Sequence, residues 1–60
     1  MSLTAKEWLL LPQEEQTKRE KELSAHETFL LRTLYAYIHF SEEKKRSMTK
    51  EERAAFLAEE

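Results

Sequence analysis

His26 and His39 are the two imidazoles of the chain, and each has a glutamate four residues away, Glu22 before the first and Glu43 after the second. Side chains four apart share a helix face, so either pair offers two ligands to a metal. Two are too few: zinc sites take three or four protein ligands at closer, patterned spacing. Both read as ordinary surface or boundary histidines, with no metal and no cofactor expected. The remaining catalytic repertoire is thin. There is no cysteine, hence no thiolate chemistry and no disulfide. There is no glycine, hence no phosphate-cradling loop and no nucleophile elbow. The expectation is that the chain is not an enzyme.

Lys44, Lys45, Arg46, Lys50 and Arg53 gather just after an aromatic-rich stretch, which raises nucleic-acid binding as a possibility. Glu42, Glu43, Glu51 and Glu52 interleave with them, and the net charge is −2. Phosphate contacts supply much of nucleic-acid affinity, so this charge balance argues against such a partner. No apolar run approaches the roughly 20 residues needed to span a bilayer. The first residues also lack the basic-then-apolar order of a secretory signal. No membrane association and a cytoplasmic location are therefore expected.

Most of the apolar chemistry lies in one place. Residues 29–40, FLLRTLYAYIHF, hold nine apolar side chains in twelve positions and four of the six aromatics. Rings with a polar tip or edge suit a surface that must be apolar yet tolerate water. Tyr35, Tyr37, His39 and Phe40 are accordingly the candidate partner-binding residues, with Trp8 behind them. Leu23, Phe29, Leu30, Leu31, Leu34 and Ile38, joined by Phe56 and Leu57, are the candidates for the core or for a dimer interface.

The elements that must position these residues are helical. Gly, Asn, Asp and Val are absent, which removes the residues best suited to tight turns and hairpins. Ala, Leu, Glu, Lys, Arg and Gln remain, the strong helix formers. Capping boxes, a Ser or Thr followed three residues later by Glu, mark helix starts at Thr4, Ser24 and Thr49. The first helix should cover 5–10 and stop near Leu11, because Pro12 disfavours helical geometry in the residue before it. From Pro12 to Glu22 no apolar side chain occurs, which implies a solvated helix carrying Glu14–Lys18 and Glu15–Arg19 pairs. Over 23–40 a helical projection puts Leu23, Leu30, Leu34, Tyr37 and Ile38 on one face, with Phe29, Ala36 and Phe40 beside it. The alternation within 33–40 would also suit a strand, but no second β-rich run exists to pair with it. Ser41 can start a short helix, and Thr49 a further one offering Ala54, Phe56, Leu57 and Ala58 for burial.

The expected architecture is thus all-α: a single small domain, 1–60, with a long central helix somewhere within 13–40 and short flanking helices folded back as a hairpin or small bundle. Ser24 either starts a new helix or lies inside that rod. A chain this short sits near the lower limit for folding alone, and small domains without staples often complete themselves by oligomerising. A homodimer is expected on that ground. The favoured function is a small protein–protein interaction module: an adaptor, inhibitor or regulatory subunit. The alternatives are a purely structural homodimeric bundle and, behind it, a small nucleic-acid-binding regulator.

Overall fold

The computed structural model describes residues 3–59. Residues 1, 2 and 60 of the expected 1–60 domain lie outside the described residues. Five α-helices follow one another: α1 Ala5–Leu10, α2 Gln13–Arg19, α3 Ala25–Arg32, α4 Glu42–Ser47 and α5 Lys50–Ala58, with a 3₁₀ turn at Glu20–Glu22. The fold is all-α. The described residues contain no strand, only an isolated parallel bridge between Leu3 and Leu23.

The helix starts are set by local side-chain chemistry. Thr4 and Thr49 form complete capping boxes with Glu7 and Glu52, each hydroxyl accepting from the amide three residues on and each carboxylate accepting from the cap's own amide. Ser24 and Ser41 cap α3 and α4 through their hydroxyls, which accept from the Glu27 and Lys44 amides. At Leu11 the backbone is extended, φ −76° and ψ 149°, so α1 ends where Pro12 requires it to.

The long central helix does not form. α2 tightens into the 3₁₀ turn, Leu23 is extended at φ −75° and ψ 133°, and Ser24 starts a new helix. Two causes act together. The stretch 13–22 has no buried side chain to hold it against neighbours, and a short helix without an apolar face is marginal in water. Leu23, meanwhile, is drawn into its bridge with Leu3. The expected Glu14–Lys18 and Glu15–Arg19 pairs are replaced in part by one between Arg19 and Glu22, 3.1 Å apart across the 3₁₀ turn. That contact holds the Glu22 carboxyl below its ordinary pKa, chiefly through the hydrogen bond from Arg19.

The second half of the expected rod also stops early. At Thr33 the hydroxyl donates back to the Phe29 carbonyl at 2.8 Å, and the amide is shared between the Phe29 and Leu30 carbonyls. Such back-bonding, followed by Tyr, Ile, His and Phe with their modest helix propensity, favours leaving the helix. Residues 33–37 make turns, and 38–41 lead without regular structure to the Ser41 cap.

The core therefore sits elsewhere than expected. Its buried apolar residues are Leu3, Ala5, Leu9 and Leu10. The six-residue α1 is the hub, packed against α2, α3 and α5. Of the eight candidates for core or dimer interface, none is fully buried: Leu23, Leu30, Leu31, Ile38 and Phe56 are half-buried, and Phe29, Leu34 and Leu57 are exposed. Burial follows the run 8–11 because its helix presents apolar side chains to three neighbours at once.

Side chains from distant elements satisfy the ends of these helices. The Ala5 amide donates to the Glu27 carboxylate at 2.7 Å, and the Gln13 amide donates to Glu42 at 3.0 Å, so two helix starts take a carboxylate from another helix. At the other end of α1, Lys45 donates to the Leu11 carbonyl at 2.7 Å and Arg53 to the Leu10 carbonyl at 3.4 Å. Anions at helix starts and cations at helix ends match the orphan backbone groups and the helix dipole.

Candidate functional site

Between α1–α2 and residues 35–42 lies a cleft of 660 Å³. Trp8, Tyr35, His39 and Phe40 line it, together with Leu31 and Ile38. Four of the five residues singled out as partner-binding candidates are thus brought to one concavity. Tyr37, the fifth, is not among the lining residues and stands 83% exposed.

Each wall is fixed by identifiable contacts. The Trp8 indole N–H donates to the Gln16 carbonyl at 2.9 Å, and the Gln16 side-chain amide donates to the Trp8 carbonyl at 2.9 Å. This reciprocal clasp joins α1 to α2 and leaves the ring face as cleft wall. Phe40 meets Phe56 edge to face, with centroids 5.2 Å apart and planes at 84°, an arrangement that matches the ring quadrupoles. The Lys6 ammonium lies 6.0 Å from the Tyr35 centroid and 5.5 Å from that of Phe56, while donating to the Phe56 carbonyl at 3.1 Å. Tyr35 and Phe56 are thereby held around one cation.

Part of the cleft lining is polar, with Gln16, Glu42 and Lys45 among its residues. Lys45, 4% exposed, is the one charged residue buried among the described residues. Its ammonium is paired with Glu42, donates to the Leu11 carbonyl and reaches the Gln16 side-chain oxygen at 3.5 Å. A buried ammonium is tolerable only when its donors find partners, and these have. The Glu42 carboxyl is held below its ordinary pKa, first by the hydrogen bond from Lys45 and then by that from the Gln13 amide.

Lys45, Gln16, Leu31 and Ile38 are among the contributors that sequence reasoning did not assign to this site. Leu31 had been grouped with the core, and Gln16 carries no local signal. Glu42 three residues before Lys45 hinted at a helical ion pair, but not at its burial. The basic cluster is also altered by the fold. Lys45 and Arg53 turn inward to backbone carbonyls, and Lys44 lies 3.8 Å from Glu52. His26 and His39 are both exposed, and among the described residues no three His, Cys, Asp or Glu side chains gather where they would hold a metal ion. No helix among them is long and apolar enough to cross a membrane.

Compared with family models, with curated proteins and with solved structures, the chain finds no match.

Proposed function

We propose that this chain is a small cytoplasmic, non-enzymatic protein–protein interaction module, an adaptor, inhibitor or regulatory subunit, whose cleft between Trp8 and the 35–40 segment receives apolar side chains of a partner protein. One observation carries the reading: Trp8 on α1 and Tyr35, His39 and Phe40 from the 35–40 segment border the same concavity. An aromatic-walled pocket with a few polar groups in its lining and an open mouth is where interface anchors seat. Because the site is concave, the partner supplies the inserted element.

Site-specific photocrosslinking tests it. A benzophenone amino acid replacing His39, at the cleft, and another replacing Glu51, exposed on α5, would be compared in extracts of cells that make the protein. A discrete adduct with one protein from position 39 and none from position 51 is expected. Equal labelling from both positions, or none from 39, removes the reading.

Self-association is a second reading, with its own support. Phe29, Leu34 and Tyr37 are 60%, 56% and 83% exposed. Light scattering over a roughly hundredfold range of concentration decides. A dimer that persists on dilution and is lost in Phe29→Glu/Leu34→Glu supports the homodimer, whereas a monomer throughout removes it.

A further inference from the structure

The charged stretch 12–22 also borders a second cleft, one of 820 Å³. Trp8, Leu23 and Leu31 line this cleft and are half-buried, while Lys18, Lys21 and Arg32 line it and are exposed. An apolar floor is thus rimmed by three cations, and Glu20 is the one carboxylate among the lining residues. None of the three cations belongs to an ion pair among the described residues; the pairs there are Arg19–Glu22, Lys44–Glu52 and Lys45–Glu42. Arg19, which neighbours Lys18, is neutralised by Glu22, so the free positive charge of this region is concentrated on the rim. That concentration arises in a chain whose net charge is −2.

We propose that this basic-rimmed cleft is a docking site for an acidic segment of a partner protein, one that sets one or two apolar side chains against Trp8, Leu23 and Leu31 and places Asp or Glu carboxylates beside Lys18, Lys21 and Arg32. Charge complementarity selects the occupant. Apolar contact at the floor supplies affinity, while unpaired rim cations attract carboxylates and repel basic segments. A small apolar ligand is a poorer fit, because such sites are lined mainly by apolar residues and enclose the ligand, whereas six of the nine residues lining this cleft are polar or charged. The rim charges are solvent-exposed, so their contribution is screened by salt. The site stands whether or not the aromatic cleft is used, although Trp8 and Leu31 border both.

A displayed random-dodecapeptide library provides the probe, with the whole chain as bait. Binders enriched in Asp and Glu around Leu, Ile or Phe are expected from the wild type, and that enrichment should vanish or invert with Lys18→Glu/Lys21→Glu/Arg32→Glu. The strongest peptide lacking tryptophan is then titrated against the protein, because Trp8 is the single tryptophan and its emission reports binding in either cleft that it borders, the variants telling the two apart. Affinity should fall at least about tenfold in the triple variant and fall with added salt, and be unchanged in His39→Ala. Circular dichroism confirms that each variant is folded. Absence of binders, absence of acidic enrichment, or salt-independent affinity overturns the proposal. So does loss of binding in His39→Ala with retention in the triple variant, which places the peptide in the aromatic cleft. Concentration-dependent self-association abolished by the triple substitution would assign the cleft to a second copy instead, and equally overturns it.

Discussion

Residues 8–11 and 29–40 are the two apolar runs of this protein, and the fold treats them oppositely. Leu9 and Leu10 from the shorter run are buried, whereas Phe29, Leu34 and Tyr37 from the longer one remain more than half exposed. Apolar content does not explain the difference, since the longer run has more of it. The distinction lies in the backbone. The helix bearing the first run has Glu27 at its start and Lys45 and Arg53 at its end, so its polar termini are satisfied where they are buried. In the second run the helix ends midway at Thr33, and in the turns that follow Leu34, Ala36 and Tyr37 are exposed while Tyr35 is half-buried. Burial goes to the segment whose backbone can be buried without leaving groups unpaired.

The sharpest way to break this contrast is to truncate one side chain in each run. Leu9→Ala should destabilise by about 2–5 kcal/mol, enough to unfold a chain of this size, whereas Leu34→Ala should change stability by no more than about 0.5 kcal/mol. Urea denaturation followed by circular dichroism measures both, and similar effects at the two positions would undo the assignment of the core to α1. Next in size is the end of α1. Lys45→Ala strips the Leu11 carbonyl of a buried donor and should cost about 1–3 kcal/mol. Lys45→Met keeps the stem's packing and should lose less, a ranking that thermal melts can read.

Thr4→Ala removes the side-chain cap of the hub helix and should cost about 1 kcal/mol. Alanine at Ser41, which caps a helix containing none of the apolar core, is expected to cost less in the same denaturation assay. The smallest effect concerns pH. Because Glu42 has a lowered pKa in the folded state, its contribution is full above the ordinary glutamate range and is lost as pH falls through that lowered value. Melting temperature should therefore decline as pH drops below about 4, and Glu42→Gln should show a shallower decline. An identical acid profile for the variant would mean that Glu42 is not among the groups responsible.

What could be read from the sequence follows the same division between local and distant chemistry. Helix starts at Thr4, Ser24, Ser41 and Thr49, and the stop before Pro12, were legible because each depends on groups within a few residues. The break at Leu23 was left open, since it rests partly on a bridge to Leu3 across the fold. The continuous helix over 29–40 was misjudged because periodicity ignores the Thr33 hydroxyl and the weak propensity of the residues after it. In the candidate site, the ring-bearing residues were found by residue type, and four of the five candidates do converge. Tyr37 does not, since one-face membership on a helical projection has no meaning beyond the point where the helix ends. Gln16 and Lys45 went unassigned because their roles exist only after α1, α2 and α4 have met.

The clasps on α1 also have a bearing on how the chain acquires its shape. Lys45 reaches the end of α1 across 34 residues of sequence, Arg53 across 43, and Lys6 finds the Phe56 carbonyl across 50. Bonds of such separation form only after long loops have closed, so a chain made of short, locally encoded helices must still wait for a slow, distant encounter. Until Lys45 and Arg53 have been synthesised, α1 has no cations for its final carbonyls. The hub helix is thus made well before the side chains that complete it.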